Sequence, residues 1–310
     1  MTKRVLGPNA VGYTVALFLL TARAPFYDIV FIQKVPLPGF YVRFLRLFTP
    51  VVYDFDDALF VTKPSEGGRS KWKPLLDSCL SASTAVVAGS AELRTYAEQY
   101  ADDVFTLPTG IPRDPHVSRQ QRAADGEATI GWIGNPENLI YLEAHSESLE
   151  RVLQDSENTK LLIITAGSFP TKPLADRDDV EYREWSVDTG LDALSEADIG
   201  IRPLSEDRWT RSKGGFTSVI QMMALALPVV VTPVGMLSEI VEHKKSGFHA
   251  ENSTDWETYL NKLVSDETLR QTMGDEAAAR VDERGFWAED KARELAVILR
   301  DIRTQRSAPN

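Results

Sequence analysis

A single cysteine, Cys79, stands in 310 residues. An intrachain disulfide is therefore impossible, and a zinc site built from several thiolates is excluded. The lack of bridges fits a reducing compartment. Histidine is scarce too: there are four, and none precedes His116. No apolar run reaches the roughly 18–20 residues that span a bilayer. The longest mostly apolar stretch, residues 11–22, follows Lys3 and Arg4, and Ala22-Arg23-Ala24 resembles a cleavage site. A signal peptide is thus one reading, and a buried or interfacial helix is the preferred one. Acidic residues are nearly missing from the first 50 positions, where Asp28 faces six basic side chains: Lys3, Arg4, Arg23, Lys34, Arg43 and Arg46.

Charge is uneven along the rest of the chain. Residues 1–116 carry a net +1 and the remainder −12. An acidic body argues against nucleic-acid binding. A basic, aromatic-rich front end suits an anionic lipid surface, although solvated basic residues would read the same way. The segment 40–48, FYVRFLRLF, mixes large apolar and basic residues. As a helix it either lies in a bilayer interface or packs on the core with its arginines outward, and the second is slightly preferred.

Short β-branched runs alternate with helix-length amphipathic stretches. Strands are expected at 28–33, 51–55, 85–88 and 104–107, then at 129–133, 161–165, 180–182, 199–202, 229–232 and 247–250. That order predicts α/β layers with largely parallel sheets. Residues 108–127 break the pattern with Pro108, Pro112, Pro115 and two glycines, which reads as an interdomain linker. The chain is thus divided into a small N-terminal domain, 1–112, a linker, 113–127, a larger domain, 128–285, and a final helical stretch, 286–310.

Two segments carry chemistry. In the first, Arg208, Arg211 and Lys213 lead to Gly214-Gly215, and a helix is expected to start near Thr217. Glycines admit close approach, and free amides with a helix dipole favour an anion; a nucleotide diphosphate is the natural occupant. A basic loop beside an ordinary helix is the plainer reading. In the second, VVYDFDDALF at 51–60, three carboxylates (Asp54, Asp56, Asp57) end a hydrophobic strand, where ligands of open α/β sheets bind. Structural carboxylates there usually cap a helix. The same motif resembles the first motif of haloacid-dehalogenase-type phosphohydrolases. Later pieces can be found at Thr165, Lys172 and Asp178-Asp179, but Asp178 and Asp179 precede their strand and Ala58 stands where threonine is usual.

Taken in order, five segments resemble glycosyltransferase family 4 and its GT-B-fold relatives, in a branch with a DxDD strand. They are VVYDFDDALF (51–60), VVAGSAELRTYAEQYADDVFTLPTGIP (86–112), IGWIGNPENLIYLE (130–143), ADIGIRPL (197–204) and the stretch from KGGF to KKSGF (213–248). The resemblance implies two Rossmann-like domains, a nucleotide-sugar donor held mainly by the second, a retaining transfer, no obligatory metal and no cofactor beyond the donor. It implies that the last helix crosses back to the first domain. The family's Glu-x7-Glu pair falls on Lys213 and Gln221. Gln221 can still bond the ribose diol, and Lys213 would stand as a cation against phosphate or sugar. The amides of Phe216, Thr217 and Ser218 would face the diphosphate, and Gly134 and Asn135 form the first turn of the donor domain. The arginine usual at position 135 is missing, so neutralisation is expected from Lys213, Arg208 or Arg211. The family's histidine falls on Asp56, which with Asp57 and Lys213 is expected in catalysis. Trp185, just past a strand, is a candidate to flank the base.

Relatives usually open with a strand, a Gly-rich loop and a helix before position 28, where this sequence has one helical stretch. The first domain is therefore expected to be reduced, or the start incomplete. The acceptor implied is a cell-surface glycan or a lipid-linked molecule, and the location cytoplasmic, with peripheral membrane contact through 40–48. A catalytically degenerate binding subunit is the competing expectation, and the phosphohydrolase a third.

Overall fold

The computed structural model describes residues 10–62, 68–113, 128–156, 158–167, 174–187 and 189–307. Most of the linker 113–127 and Lys172 lie outside them. All ten expected strands are present, with ends shifted by no more than two residues: β1 Val30–Gln33, β2 Val51–Phe55, β3 Ala85–Ala88, β4 Val104–Thr106, β5 Ala128–Ile133, β6 Thr159–Thr165, β7 Val180–Glu184, β8 Ile199–Arg202, β9 Val229–Val231 and β10 Gly247–His249. Every pairing between them is parallel. Parallel neighbours need a crossover between them, and helices of the sequence supply most of these.

The strands form two sheets, and the chain divides into two compact units. Unit 1 comprises Met1–Pro108, Ser212–Gly215 and Ala292–Asn310. Its four-stranded sheet runs β1-β2-β3-β4. The last helix, Ala288–Ser307, contributes Ile302, Leu295, Ile298 and Leu299 to an apolar cluster with Val52, Ala85 and Val87. Helix Gly39–Arg46 buries Val42 and Leu45 and leaves Phe40 and Phe44 exposed. Arg43 and Arg46 are exposed, as the core-packed reading of this segment expects, and Arg46 also donates to the Ala82 carbonyl, 3.0 Å, at the end of helix Lys73–Ala82. No described helix is long and apolar enough to cross a membrane.

Unit 2 comprises Thr109–Arg211 and Phe216–Lys291. Its six-stranded sheet has the order β10-β9-β8-β5-β6-β7. Successive strand residues serve opposite faces. Ile130 and Trp132 of β5 join Ile199, Ile201, Val230 and Trp256 in one core layer. Ile133 joins Ile164, Val219, Met222 and Val231 in the other. Burial on both faces explains why these strands read as unbroken apolar runs. The break between units falls after Pro108, four residues before the expected domain end. Ile111 exchanges backbone hydrogen bonds with Phe286 (2.9 Å) and Ala288 (2.8 Å), and the Arg113 guanidinium lies 4.2 Å from the Trp287 ring centre, which ties this stretch to unit 2.

Candidate functional site

In unit 2 the sheet order dictates where a ligand can sit. From β5 the chain goes to β6 and β7 on one side, then to β8, β9 and β10 on the other. The switch point lies between β5 and β8, and in open α/β sheets ligands bind beyond the carboxyl ends of two strands whose connections diverge in this way. Gly134 and Asn135 follow β5 and Arg202 ends β8. Gly134 is fixed by its N–H to the Ile164 carbonyl, 3.1 Å. A side chain there is not tolerated, because a Cβ would lie 2.8 Å from the Trp132 ring and 3.0 Å from an Arg202 nitrogen. Asn135 is exposed and opens the 3-10 turn Pro136–Asn138.

Helix Thr217–Ala224 connects β8 to its parallel neighbour β9, so it must run back along the sheet with its N-terminus at the carboxyl edge. It presses on β8 through Met222, whose sulfur would lie 2.7 Å from a Cβ at Gly200. Phe216 is buried and no side chain caps the helix start, while Thr217 and Ser218 are half-buried. Gln221, one turn on, lines a cavity of about 40 Å³ with Ile111, Pro112, Leu191, Leu225 and Trp287. That volume suits a water or a hydroxyl rather than a ring. The Trp185 backbone N–H donates to the Thr165 carbonyl at 2.9 Å, and its ring packs on Gly190, where a Cβ would lie 2.6 Å from the indole nitrogen. Trp185 is not among the residues that line the cavity at Gln221.

The basic run ahead of this helix is not an open loop. Residues Arg208–Ser212 form a helical turn. Asp207 caps it by accepting from the Thr210 N–H at 2.9 Å, and the Thr210 hydroxyl accepts from the Asp207 N–H at 3.3 Å. The Arg211 guanidinium pairs with Glu206 at 2.9 Å. Arg208 is exposed and Lys213 half-buried.

In unit 1 the carboxylates gather around Lys34, a residue the sequence did not single out. Lys34 sits in the left-handed region, φ 64°, with its N–H on the Asp54 carbonyl at 2.8 Å. That turn aims its ammonium at Asp56 Oδ2, 2.7 Å away. Burial works against the Lys34 charge, but the hydrogen bond and charge of Asp56, with Asp57 and Asp54 behind, hold its pKa above the usual lysine value. Asp56 Oδ1 is buried and has no partner among the described residues. The Asp56 carbonyl accepts from Gly214 N–H at 2.9 Å, and Gly214 lies against Gly89 too closely for any side chain. Ser90 Oγ donates to the Ser212 carbonyl at 3.0 Å. Asp56 and the segment carrying Lys213 are thus anchored together within unit 1. No helix starts directly after Asp57, since residues 58–62 are non-helical and the next described helix is Lys73–Ala82, so these carboxylates do not cap a following helix.

Burial pushes the Asp54 carboxyl up to about 6, the Gln33 hydrogen bond opposing and the Asp56 charge assisting. The fold therefore holds a proton that the unfolded chain releases between pH 4 and 6. Stability tied to this group is full below pH 4 and falls as pH rises through 6. Asp54→Asn, which keeps an acceptor for Gln33, should then raise stability at pH 8 by about 1–3 kcal/mol and change little at pH 4. Urea denaturation of both proteins at the two pH values checks this; equal differences at both would overturn it.

Residues of the phosphohydrolase motif are divided between the two units. Asp54 and Asp56 belong to unit 1, whereas Thr165, Asp178 and Asp179 belong to unit 2, the last two ahead of β7. Among the described residues no group of three or more His, Cys, Asp or Glu could hold a metal ion.

With this geometry in view, residues 127–266 match the family model described as Glycosyl transferases group 1. No curated protein matches the sequence at a significant level. Solved structures with similar folds include S. aureus TarM in complex with fondaparinux, α-GlcNAc-glycerol and UDP (TM-score 0.65, 17% identity, 81% of this chain and 51% of that one). Others are Anabaena HepE in complex with UDP and glucose (TM-score 0.70, 16% identity, 96% and 84%) and WaaG, a glycosyltransferase involved in lipopolysaccharide biosynthesis (TM-score 0.67, 15% identity, 94% and 83%). The chain spans about half the length of the TarM chain it matches. The fold shared with these structures gives the chain the GT-B architecture, and within it residues 127–266, the greater part of unit 2, match Glycosyl transferases group 1.

Proposed function

We propose that this protein is a retaining glycosyltransferase that moves a sugar from a nucleotide-sugar donor to a glycan or lipid-linked acceptor. The observation that carries the reading is the arrangement at the carboxyl edge of unit 2: a glycine turn after β5 and an uncapped helix start after β8, with Gln221 one turn further along. It suits a diphosphate at the turn and the helix amides, a ribose diol at Gln221, and a base flanked by Trp185. HepE and TarM were solved with UDP, and HepE also with UDP-glucose, which favours a nucleotide-sugar donor here.

In the reaction, the bond between the anomeric carbon and the diphosphate oxygen breaks. The acceptor hydroxyl oxygen bonds to that carbon on the same face, and its proton passes to the departing phosphate oxygen. Negative charge grows on that phosphate, so donors set in advance lower the barrier. The amides of Phe216, Thr217 and Ser218 supply them, with Lys213 as the full charge and Arg208 and Arg211 as outer ones. Asp56 and Asp57 steady the developing positive charge on the sugar or orient the acceptor. No metal is required. Exposed Phe40, Phe44 and Leu47, beside Arg43, favour a peripheral contact with the inner face of a membrane.

The test is a thermal-shift screen of nucleotide sugars, followed by turnover assays with the best binder in EDTA. One sugar nucleotide should raise the melting temperature, and turnover should persist without divalent ions. Loss of turnover restored by Mg²⁺ would remove the metal-free mechanism. A donor that stabilises without turnover would favour a binding subunit, which the Lys34–Asp56 ion pair also suits, since it leaves Asp56 already engaged.

A further inference from the structure

Arg202 was read from the sequence only as the end of a strand. In the structure its side chain is buried, 6% exposed, at the switch point of unit 2. It shares a strand face with Gly200, the residue that meets Met222 of helix Thr217–Ala224. One nitrogen reaches the Ile133 carbonyl at 3.4 Å, a long and weak bond, and Nε has no acceptor among the described residues. No Asp or Glu among them pairs with it, and its one ionisable neighbour of note is Tyr141. Desolvation holds its pKa down at about 10. A buried cation without a counter-charge is strongly unfavourable, and an anionic guest would relieve that cost. A planar guanidinium favours two-oxygen contacts with phosphate. The surroundings fit such a guest: the side-chain-free turn at Gly134 lies directly against an Arg202 guanidinium nitrogen, and the start of helix Thr217–Ala224 lies at the same carboxyl edge of the sheet.

We propose that Arg202 is the fixed cation of a phosphate subsite between β5 and β8, and that it grips the diphosphate of the nucleotide sugar. The assignment of the guest rests on the donor reading given above. Arg202 then takes the role left open by Asn135, reaching the same turn from the neighbouring strand instead of along the loop.

The test compares wild type with Arg202→Met, an apolar side chain of similar length, and Arg202→Lys. Calorimetry would measure UDP, GDP, ADP, uridine and inorganic pyrophosphate, and melting would be followed without ligand. Expected are a 10- to 100-fold loss of nucleoside-diphosphate and pyrophosphate affinity in Arg202→Met, a smaller loss in Arg202→Lys, and unchanged uridine binding. The ligand-free melting temperature of Arg202→Met should equal or exceed that of wild type, because an uncompensated buried charge is gone. Unchanged pyrophosphate and diphosphate affinity in Arg202→Met would overturn the proposal, as would a wild type that binds none of the phosphates at millimolar concentration. If no nucleotide binds but pyrophosphate binding depends on Arg202, the subsite stands and the donor reading falls. Should Arg202→Met fail to fold, Arg202→Lys decides: equal affinity to wild type for pyrophosphate and uridine alike overturns the assignment.

Discussion

Replacing Lys213 by alanine is expected to weaken nucleoside-diphosphate binding roughly 10- to 100-fold, the loss of about 1.5–3 kcal/mol that a charged hydrogen bond to phosphate supplies. The fold should survive, because main-chain contacts hold its segment. Ser90 Oγ bonds the Ser212 carbonyl, and Gly214 N–H bonds the Asp56 carbonyl, so the backbone on each side of Lys213 is fixed without its side chain. Three residues on, Phe216 opens the helix whose amides the diphosphate is proposed to meet. The effect should shrink with salt less than a surface contact would, since Lys213 is half-buried. Titration calorimetry at two ionic strengths reads both quantities. A folded variant with wild-type affinity would remove Lys213 from the donor site and leave Arg202 and the helix amides as the diphosphate grip.

The strands were legible in the sequence because both faces of each sheet are buried. Runs such as 161–165 and 229–231 are short continuous β-branched or aliphatic stretches bounded by turns, the length and composition of a strand buried on both faces. Strand ends were less legible, since pairing with a neighbour decides where a ladder stops. Thr159 and Lys160 join β6 only because Ala128 and Thr129 lie opposite them. For Arg208–Ser212 the sequence offers a basic loop as the plainer alternative to an anion site, whereas the structure has a helical turn, whose Asp207 and Thr210 cap is a local signal. Arg202 and Lys34 are different. Nothing in their neighbours along the chain marks them, because Arg202 gains meaning from Ile133 and Gly134, and Lys34 from Asp56. The one available signal was an arginine closing an otherwise apolar strand before a proline.

The second large effect concerns Asp56. Asp56→Asn is expected to lower kcat by roughly 10- to 100-fold, a barrier increase of about 1.4–2.7 kcal/mol, while nucleoside-diphosphate affinity changes little. The amide keeps the shape and loses the charge, so an electrostatic role would show in turnover and not in the grip on the diphosphate. Helix capping does not compete as an explanation, since no helix begins here. The competing role is structural, through the ion pair with Lys34. The Lys34 side chain is 57% exposed, and such pairs contribute at most about 1 kcal/mol. Lys34→Met separates the two. It removes the same ion pair and leaves the carboxylate in place, so it should lower stability about as much as Asp56→Asn and retain most turnover. Melting temperature and kcat measured on both variants give the answer. Equal loss of turnover in the two would assign the effect to the pair as a unit. Full turnover in Asp56→Asn with a lowered melting temperature would make Asp56 a structural anchor that holds Lys34 on one side and Gly214 on the other.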